Sequence, residues 1–487
     1  MVQSIPHSQG LPETRVELQV PLCVDLDGTL AKSDTLVDSL LVLARTRPHL
    51  LLRLPGKVLH GKAAFKAFVT ESISFDVAYL PYNRELLRFL QQEHAQGRAI
   101  YLATGADAAL ANRVAAHLGI FSGVLGSDGA NNLTGSKKLD GVRSRLGPEF
   151  DYIGNDTPDL PLLAEAHEAM VANPSRGLRK ALKAGGILPA RTFEERRHPF
   201  KSLLKALRLH QWAKNLLIFV PLFLSHSLSM GQILRAVAAF YCFSLTASAA
   251  YIVNDLLDIE ADRRHPRKRL RPFAAGDLSP FAGVGVVVVF LLLALSCAQF
   301  LPTAFYGWLL VYLATAFAYS GYLKRFALLD VMVLSGLYIL RLLAGGAATQ
   351  TQISHWLAGF SMFLFLSLAI VKRFAELENL RASSATPKNG RGYLLSDLPQ
   401  IRSFGTASAY AAVVVFAIYI SGPDVVKLYR QPRLLWLIVP LMILWLNRVW
   451  LLASRGELDE DPVAFALTDR MSQLIGVAVA AIALLAL

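Results

Sequence analysis

Hydrophobic positions along the chain follow two patterns, and one gives way to the other near residue 190. Before that point apolar runs are short and alternate with helical patterns. The runs 22–26, 99–103 and 152–153 each end in polar residues, as strands buried on both faces do. Strands alternating with helices predict a parallel α/β sheet whose site lies at the carboxyl ends of its strands. Residues 34–96, between the first two strands, read as mostly helical and predict a small cap. The stretch 173–202 mixes Pro, Gly and basic residues, which predicts a linker leading to a membrane-surface helix.

After residue 200 the apolar blocks reach bilayer length. They predict an all-α polytopic domain of about nine spans, near 215–231, 234–253, 281–300, 303–321, 327–346, 355–371, 405–421, 433–452 and 471–487. The first is the weakest, interrupted by Pro221 and His226. The domains expected are a tail over 1–20, a soluble domain over 21–190, a linker and surface helix over 191–210, and a membrane domain over 211–487. Loops 254–280, 322–330, 372–404 and 447–470 carry most of the Lys and Arg between spans, so they are expected on the cytoplasmic side. An even number of crossings before the first of these loops then places the N-terminal domain in the cytoplasm too, and the C-terminus outside. The chain is expected in a bacterial cytoplasmic (inner) membrane.

Composition agrees with this division. The 487 residues exceed one soluble core, and 54% of them are hydrophobic. Mean hydropathy is +0.41. The net charge of +13 comes without arrays of Arg and aromatic residues, which argues for membrane anchoring and against nucleic acid. Cys23, Cys242 and Cys297 lie far apart and form neither a disulfide framework nor a zinc spacing. The polar N-terminus has no apolar core, so no cleavable signal peptide is expected and insertion relies on internal spans. A homo-oligomer is compatible with all of this, and nothing in the sequence demands one.

Chemistry concentrates in two places. Residues 254–272 follow an apolar stretch and hold Asp255, Asp258 and Asp262 at i, i+3, i+7, spacing that puts three carboxylates on one face of a helix. Like charges on one face repel unless a cation neutralises them. Arg263, Arg264, Arg267, Lys268, Arg269 and Arg271 follow at once. Acid to hold magnesium beside base to hold phosphate, at a membrane surface, predicts work on a diphosphate. Asn254 and His265 are placed to orient the carboxylates or to touch sugar hydroxyls, and Lys268 and Arg271 are candidate phosphate clamps, with topogenic anchoring as the plainer role for these bases. Arg341 lies deep in an apolar stretch, where a charge is costly and usually functional. Lys214 and Lys324 sit at span ends and are expected to converge with Asp330 on one cytosolic mouth, with snorkelling anchors as the alternative; Lys372, Arg373 and Glu376 could extend that mouth.

The second place is Asp25-Leu26-Asp27-Gly28-Thr29, directly after a short strand. One carboxylate can attack phosphorus while the other, two residues on, protonates the leaving oxygen. This turn resembles the first motif of the haloacid dehalogenase-like phosphohydrolases, a Rossmann-like α/β fold. On that resemblance Asp25 is the nucleophile and Asp27 the general acid/base, both beside magnesium, and Thr104 is the phosphate-binding hydroxyl. Lys138 offsets phosphate charge, with Lys137 as the alternative, and Asp159 in Gly154-Asn155-Asp156-Thr157-Pro158-Asp159 is a magnesium-site acid. Asn155 stands where many members carry an aspartate, which puts metal binding in doubt unless Asp156 compensates. Lys32, Asp34 and Asp38 are expected to cap or solvate a helix.

From about residue 200 onward the chain resembles the UbiA-type prenyltransferase superfamily, and within it the decaprenyl-phosphate phosphoribosyltransferase branch. The residues that carry the likeness are Gln211-Trp212-Ala213-Lys214-Asn215, the segment 255–272, Tyr319-Ser320-Gly321-Tyr322-Leu323-Lys324, Asp330-Val331 and Arg341. Members that prenylate aromatics usually carry a second aspartate pair; here Asp330 has Phe326 and Leu334 at four residues to either side, which disfavours a prenyl diphosphate donor. The resemblance implies transfer of 5-phosphoribose from phosphoribosyl pyrophosphate to polyprenyl (decaprenyl) phosphate, with Asp255 and Asp258 catalytic and Mg2+ as cofactor. A fused phosphohydrolase is then expected to dephosphorylate the product to polyprenylphosphoryl-ribose, a precursor for pentose glycolipids or wall polymers. The rivals are an aromatic or quinone-precursor prenyltransferase and a membrane-anchored phosphatase.

Overall fold

In the computed structural model, strand β1 (Leu22–Val24) lies between β2 (Ile100–Asp107) and β4 (Asp151–Gly154), with Leu22 in register with Ile100 on one side and Asp151 on the other. β3 (Gly123–Ser127) extends the sheet beyond β2; β5 (Ala169–Ala172) and β6 (Arg191–Phe193) extend it beyond β4. All six strands are parallel, in the order β3-β2-β1-β4-β5-β6. The chain leaves β1 for opposite sides of the sheet, so the crevice at the carboxyl end of β1 is a topological switch point. That is where Asp25 begins. The α/β expectation holds, although β3, β5 and β6 were not anticipated from hydrophobic runs. β6, three residues long like β1, lies just past the expected boundary at 190.

The described residues are 20–73, 75–128, 131–195, 198–225, 229–382, 392–458 and 462–487. The expected tail up to residue 19, His226 and parts of the basic loops 372–404 and 447–470 lie outside them. Two compact units are present: one runs to His198 and takes in Ile259–Leu270 and Ala274–Asp277; the other comprises Pro199–Asp258, Arg271–Phe273 and Leu278–Leu487.

In the first unit the sheet buries Leu22, Val24, Ile100, Leu102 and Ile153 against Leu86, Leu90, Leu110 and Val114 from flanking helices. Fully burying such side chains stabilises by about 1.5–3 kcal/mol each. The expected cap region contains the helices Thr35–Thr46, Leu54–Leu59, Lys62–Glu71 and Arg84–Ala95. Asp34 caps the first of these through Leu36 and Val37 N–H, as expected. Asp38 does not solvate it: the side chain is buried and accepts from Ser33 Oγ at 2.7 Å and from Arg263, in the same unit, at 2.7 Å.

The second unit is helical. Among the described residues six helices are long and apolar enough to cross a membrane: Met230–Leu257, Pro280–Ala298, Leu329–Thr349, His355–Arg381, Leu395–Ile420 and Pro432–Ser454. Of the remaining expected spans, 303–321 is the helix Thr303–Gly321 and 471–487 the shorter helix Arg470–Ala486. The span expected at 215–231 is no straight helix. Leu209–Phe219 is a 3-10 segment followed by the short helix Val220–Leu224, with Pro221 in its first turn. This broken segment packs against Leu329–Thr349 at Gly345, where a Cβ would come within 2.2 Å of the Ile218 carbonyl oxygen.

Candidate active sites

The first site grows from the turn after β1. Gly28 adopts φ +75°, which a glycine takes without strain, and a Cβ there would meet the Asn155 amide nitrogen at 2.0 Å. Asn155 therefore faces the Asp25–Asp27 turn across a gap only glycine leaves open. Asp25 Oδ1 accepts from Lys138 Nζ at 2.9 Å, and Asp27 Oδ1 accepts from the Thr35 N–H at 2.8 Å. Of the two candidate lysines, Lys138 is buried on the helix Ser136–Leu146 and reaches Asp25, while Lys137 is exposed. Thr104 is fully buried and lies within β2 rather than after it. The β2–β3 register shifts after Ala103, and Thr104 Oγ1 accepts from the Ala106 N–H at 3.1 Å.

Asp159 departs from expectation as a metal ligand. Its Oδ1 accepts from Lys138 Nζ (3.0 Å) and Tyr152 Oη (2.7 Å), and its Oδ2 from the Asn155 and Asp156 N–H groups at 3.0 and 3.3 Å. Four donors occupy both oxygens, so Asp159 holds the loop and Lys138 in place. Asp156 accepts from Thr157 N–H and Ser175 Oγ and is likewise engaged. Asn155 and Asp25 are hard-oxygen side chains of the kind that could hold magnesium at this turn.

Electrostatics separate the two carboxylates of the turn. Burial pushes Asp25 up to about 6, with the Lys138 ammonium pulling against it. Burial pushes Asp27 further, to about 8, and the Asp34 and Asp25 charges add to the shift. Burial also acts to raise Asp159, but Lys138 and the hydrogen bonds from Asn155 and Tyr152 outweigh it and hold its carboxyl low. These shifts favour an ionised Asp25 beside a protonated Asp27 near neutral pH.

The second site lies where the helix Met230–Leu257 ends. Asp258 is its C-cap, with φ −95° and ψ 6°, and a separate short helix, Ile259–Arg264, begins next. The break corrects the three-carboxylate face: Asp262 stands on the second helix, which belongs to the first unit. Among the described residues no three acidic, His or Cys side chains gather as a metal set. His265 and Lys268 also fall in the first unit, where His265 Nδ1 accepts from the Arg267 and Lys268 N–H groups and so shapes its own loop.

What remains in the second unit is a tight acid–base cluster. Asp255 Oδ1 accepts from Arg208 Nη2 at 2.5 Å and Arg271 Nη1 at 3.1 Å. Lys324 Nζ donates to Asp258 Oδ2 at 2.6 Å and Asn254 Oδ1 at 2.9 Å. Asn254, Asp255 and Asp258 offer hard oxygens suited to magnesium. Arg208 was not anticipated from sequence; its signal was a cation just before the Gln211–Asn215 motif.

A second basic group lies deeper. Trp212 Nε1 donates to Ser248 Oγ (2.9 Å) and Asn215 Nδ2 to Ser244 Oγ (2.9 Å), so the segment Leu209–Phe219 descends along the helix that carries Asp255. From residue 244 to 255 the helix rises about 16 Å, at 1.5 Å per residue. At that depth Arg341 donates to Asn215 Oδ1 (2.7 Å), the Leu337 carbonyl (2.5 Å) and Tyr312 Oη (3.0 Å), all neutral partners. Lys214 Nζ lies 5.9 Å from the Tyr338 ring, which Arg341 also faces at 5.7 Å. Arg341 therefore lies further along the helix from the Asp255 cluster, with Lys214 beside the same ring. Asp330 leaves the expected set: Arg373 Nε and Tyr393 Oη donate to its two oxygens, and all three are buried. Arg373 also pairs with Glu376, so it braces Asp330 instead of extending the mouth.

The UbiA prenyltransferase family model matches residues 216–473, more than half of the chain. The chain belongs to the UbiA prenyltransferase family. An uncharacterised protein of Sinorhizobium fredii is similar to this UbiA-family chain along nearly its whole length: 38% identical, over 95% of this chain and 90% of that one. Two relatives match little more than half of it. They are the nodulation protein NoeC of Azorhizobium caulinodans (34%, 56% of this chain and 89% of that one) and the decaprenyl-phosphate phosphoribosyltransferase of Mycobacterium tuberculosis (35%, 57% and 91%).

Proposed function

We propose that the membrane unit transfers 5-phosphoribose from phosphoribosyl pyrophosphate to polyprenyl (decaprenyl) phosphate, and that the N-terminal unit removes the ribose 5-phosphate from the product. The observation that carries the reading is the pair of basic groups on one helical scaffold: Arg208, Arg271 and Lys324 around Asp255 and Asp258, and Arg341 with Lys214 beneath. Two anionic substrates need two cationic places, and the name of the Mycobacterium tuberculosis relative supports a sugar donor. The lack of a second acidic pair around Asp330 speaks against two-site binding of a prenyl diphosphate.

Magnesium held by Asp255 and Asp258 would neutralise the charge on the departing pyrophosphate. Arg271, Arg208 and Lys324 orient the donor's phosphates. Arg341 and Lys214 hold the lipid phosphate so that its oxygen meets C1 of the ribose. The oxygen–C1 bond forms as the C1–pyrophosphate bond breaks. In the N-terminal unit Asp25 attacks the 5-phosphate while Asp27 gives its proton to the leaving ribose oxygen. Water then cleaves the aspartyl phosphate with Asp27 as base. Nine crossings with the basic loops inside would place both sites in the cytoplasm.

Membranes carrying the protein, ribose-labelled phosphoribosyl pyrophosphate and decaprenyl phosphate test this reading by lipid extraction. Label should enter the lipid, and Asp255→Asn should abolish it. Incorporation only from an aromatic acid and a prenyl diphosphate would replace the reading with the aromatic prenyltransferase.

A further inference from the structure

Lys66 plays no part in the chemistry described so far. It lies on the helix Lys62–Glu71 of the cap region and reaches the carboxyl end of β2, where Nζ donates to the Gly105 carbonyl (2.5 Å) and Asn132 Oδ1 (2.8 Å). Gly105 directly follows the buried Thr104. A Cβ at Gly105 would lie 2.8 Å from Thr134 and 3.9 Å from the ammonium, so the strand end, the loop after β3 and the cap lysine are closely packed.

Both hydrogen-bond partners of this half-buried ammonium are neutral. Burial lowers its proton affinity, and Asp27 and Asp34 compensate only from a distance. A partly desolvated cation without a carboxylate in contact gains most from an anion arriving beside it. The phosphate under attack already has Lys138 and Thr104. An anion at Lys66 is therefore a second one on the same molecule.

We propose that Lys66 determines specificity in the N-terminal site by binding a second phosphate of a substrate that carries two. The inference rests on the phosphohydrolase reading and narrows it. A ribose 5-phosphate esterified through C1 to a phosphodiester has this shape: one monoester to hydrolyse and one further anion to hold.

The test uses full-length protein in detergent with two soluble probes, ribose 5-phosphate and its analogue bearing an alkyl phosphodiester at C1. Wild-type protein should prefer the diester analogue in kcat/KM. Lys66→Met should reduce that preference at least about tenfold, through KM rather than kcat, as loss of one charge-assisted hydrogen bond implies. Lys66→Arg should restore most of it. A lysine that merely latches the cap would change both probes alike, and that result overturns the proposal, as does a wild-type enzyme indifferent to the diester. If no probe is hydrolysed, the phosphohydrolase reading fails on its own. Equilibrium binding of the two probes to wild-type and Lys66→Met protein then decides Lys66 separately: a selective loss of diester affinity upholds it, and equal affinities overturn it.

Discussion

Arg208 and Arg271 donate to the same oxygen of Asp255, at 2.5 and 3.1 Å, although 63 residues separate them in the chain. Asp255 thus fixes two guanidinium groups that converge from the broken segment's approach and from the loop beyond the helix end. Asp255→Asn removes the charge that holds both and is expected to cut phosphoribosyl transfer by at least about a hundredfold. Arg208→Ala should raise the donor KM about tenfold, in keeping with one charged hydrogen bond. Donor titrations on purified membranes measure both; an unaltered donor KM in Arg208→Ala would remove Arg208 from the site.

The turn after β1 sets a pH window. Hydrolysis by the N-terminal unit should rise as Asp25 ionises near pH 6 and fall as Asp27 loses its proton near pH 8. Stability runs with a definite sign. Both carboxyls are raised from 3.8, so the folded unit keeps protons that the unfolded chain releases. Their contribution is complete below about pH 4 and is lost as pH rises through 6 and then 8. Asp27→Asn should therefore melt higher than wild type at pH 8, with the gap closing towards pH 4, as calorimetry across pH can check.

Asp330 and Arg373 are predicted to act on folding and not on substrate affinity. Asp330→Asn takes one of two carboxylate partners from the buried Arg373, leaving Glu376, and the loss of that charged hydrogen bond costs about 1.5–3 kcal/mol. The yield of monodisperse protein should fall, and adding Arg373→Met should recover part of it. A well-folded Asp330→Asn protein with a raised donor KM would return Asp330 to the binding site.

Gly345→Ala puts a methyl group 2.2 Å from the Ile218 carbonyl oxygen, where backbone has to give way. A loss of about 1–3 kcal/mol is expected for such overpacking. Thermal unfolding in detergent should show it, together with weaker transfer, because the displaced segment carries Lys214 and Asn215.

Much of the fold was legible because burial leaves a period. The apolar runs at β1, β2 and β4 identified the central strands and hence the place of Asp25, and long apolar blocks identified the membrane unit. β3 and β6 escaped because they are only partly buried, so no apolar run marks them. Groupings were legible where chemistry restricts the residue type: Asp25 meets Lys138, Asp255 meets Arg271 and Asp258 meets Lys324. Reasoning failed where spacing was extended past an unseen break. Nothing in Asp255-x-x-Asp-x-x-x-Asp announces that the helix stops at Leu257. Likewise, only tertiary contacts show that Asp159 and Asp330 spend their oxygens on internal donors.

One labelling experiment tests the central claim most directly. Phosphoribosyl pyrophosphate labelled separately in ribose and in the 5-phosphate is given to membranes with decaprenyl phosphate, and the lipid extract is counted. Wild type should show ribose label without the 5-phosphate label, Asp25→Asn should show both, and Asp255→Asn neither. Ribose label in the lipid that survives Asp255→Asn, or none in wild type, would contradict the account.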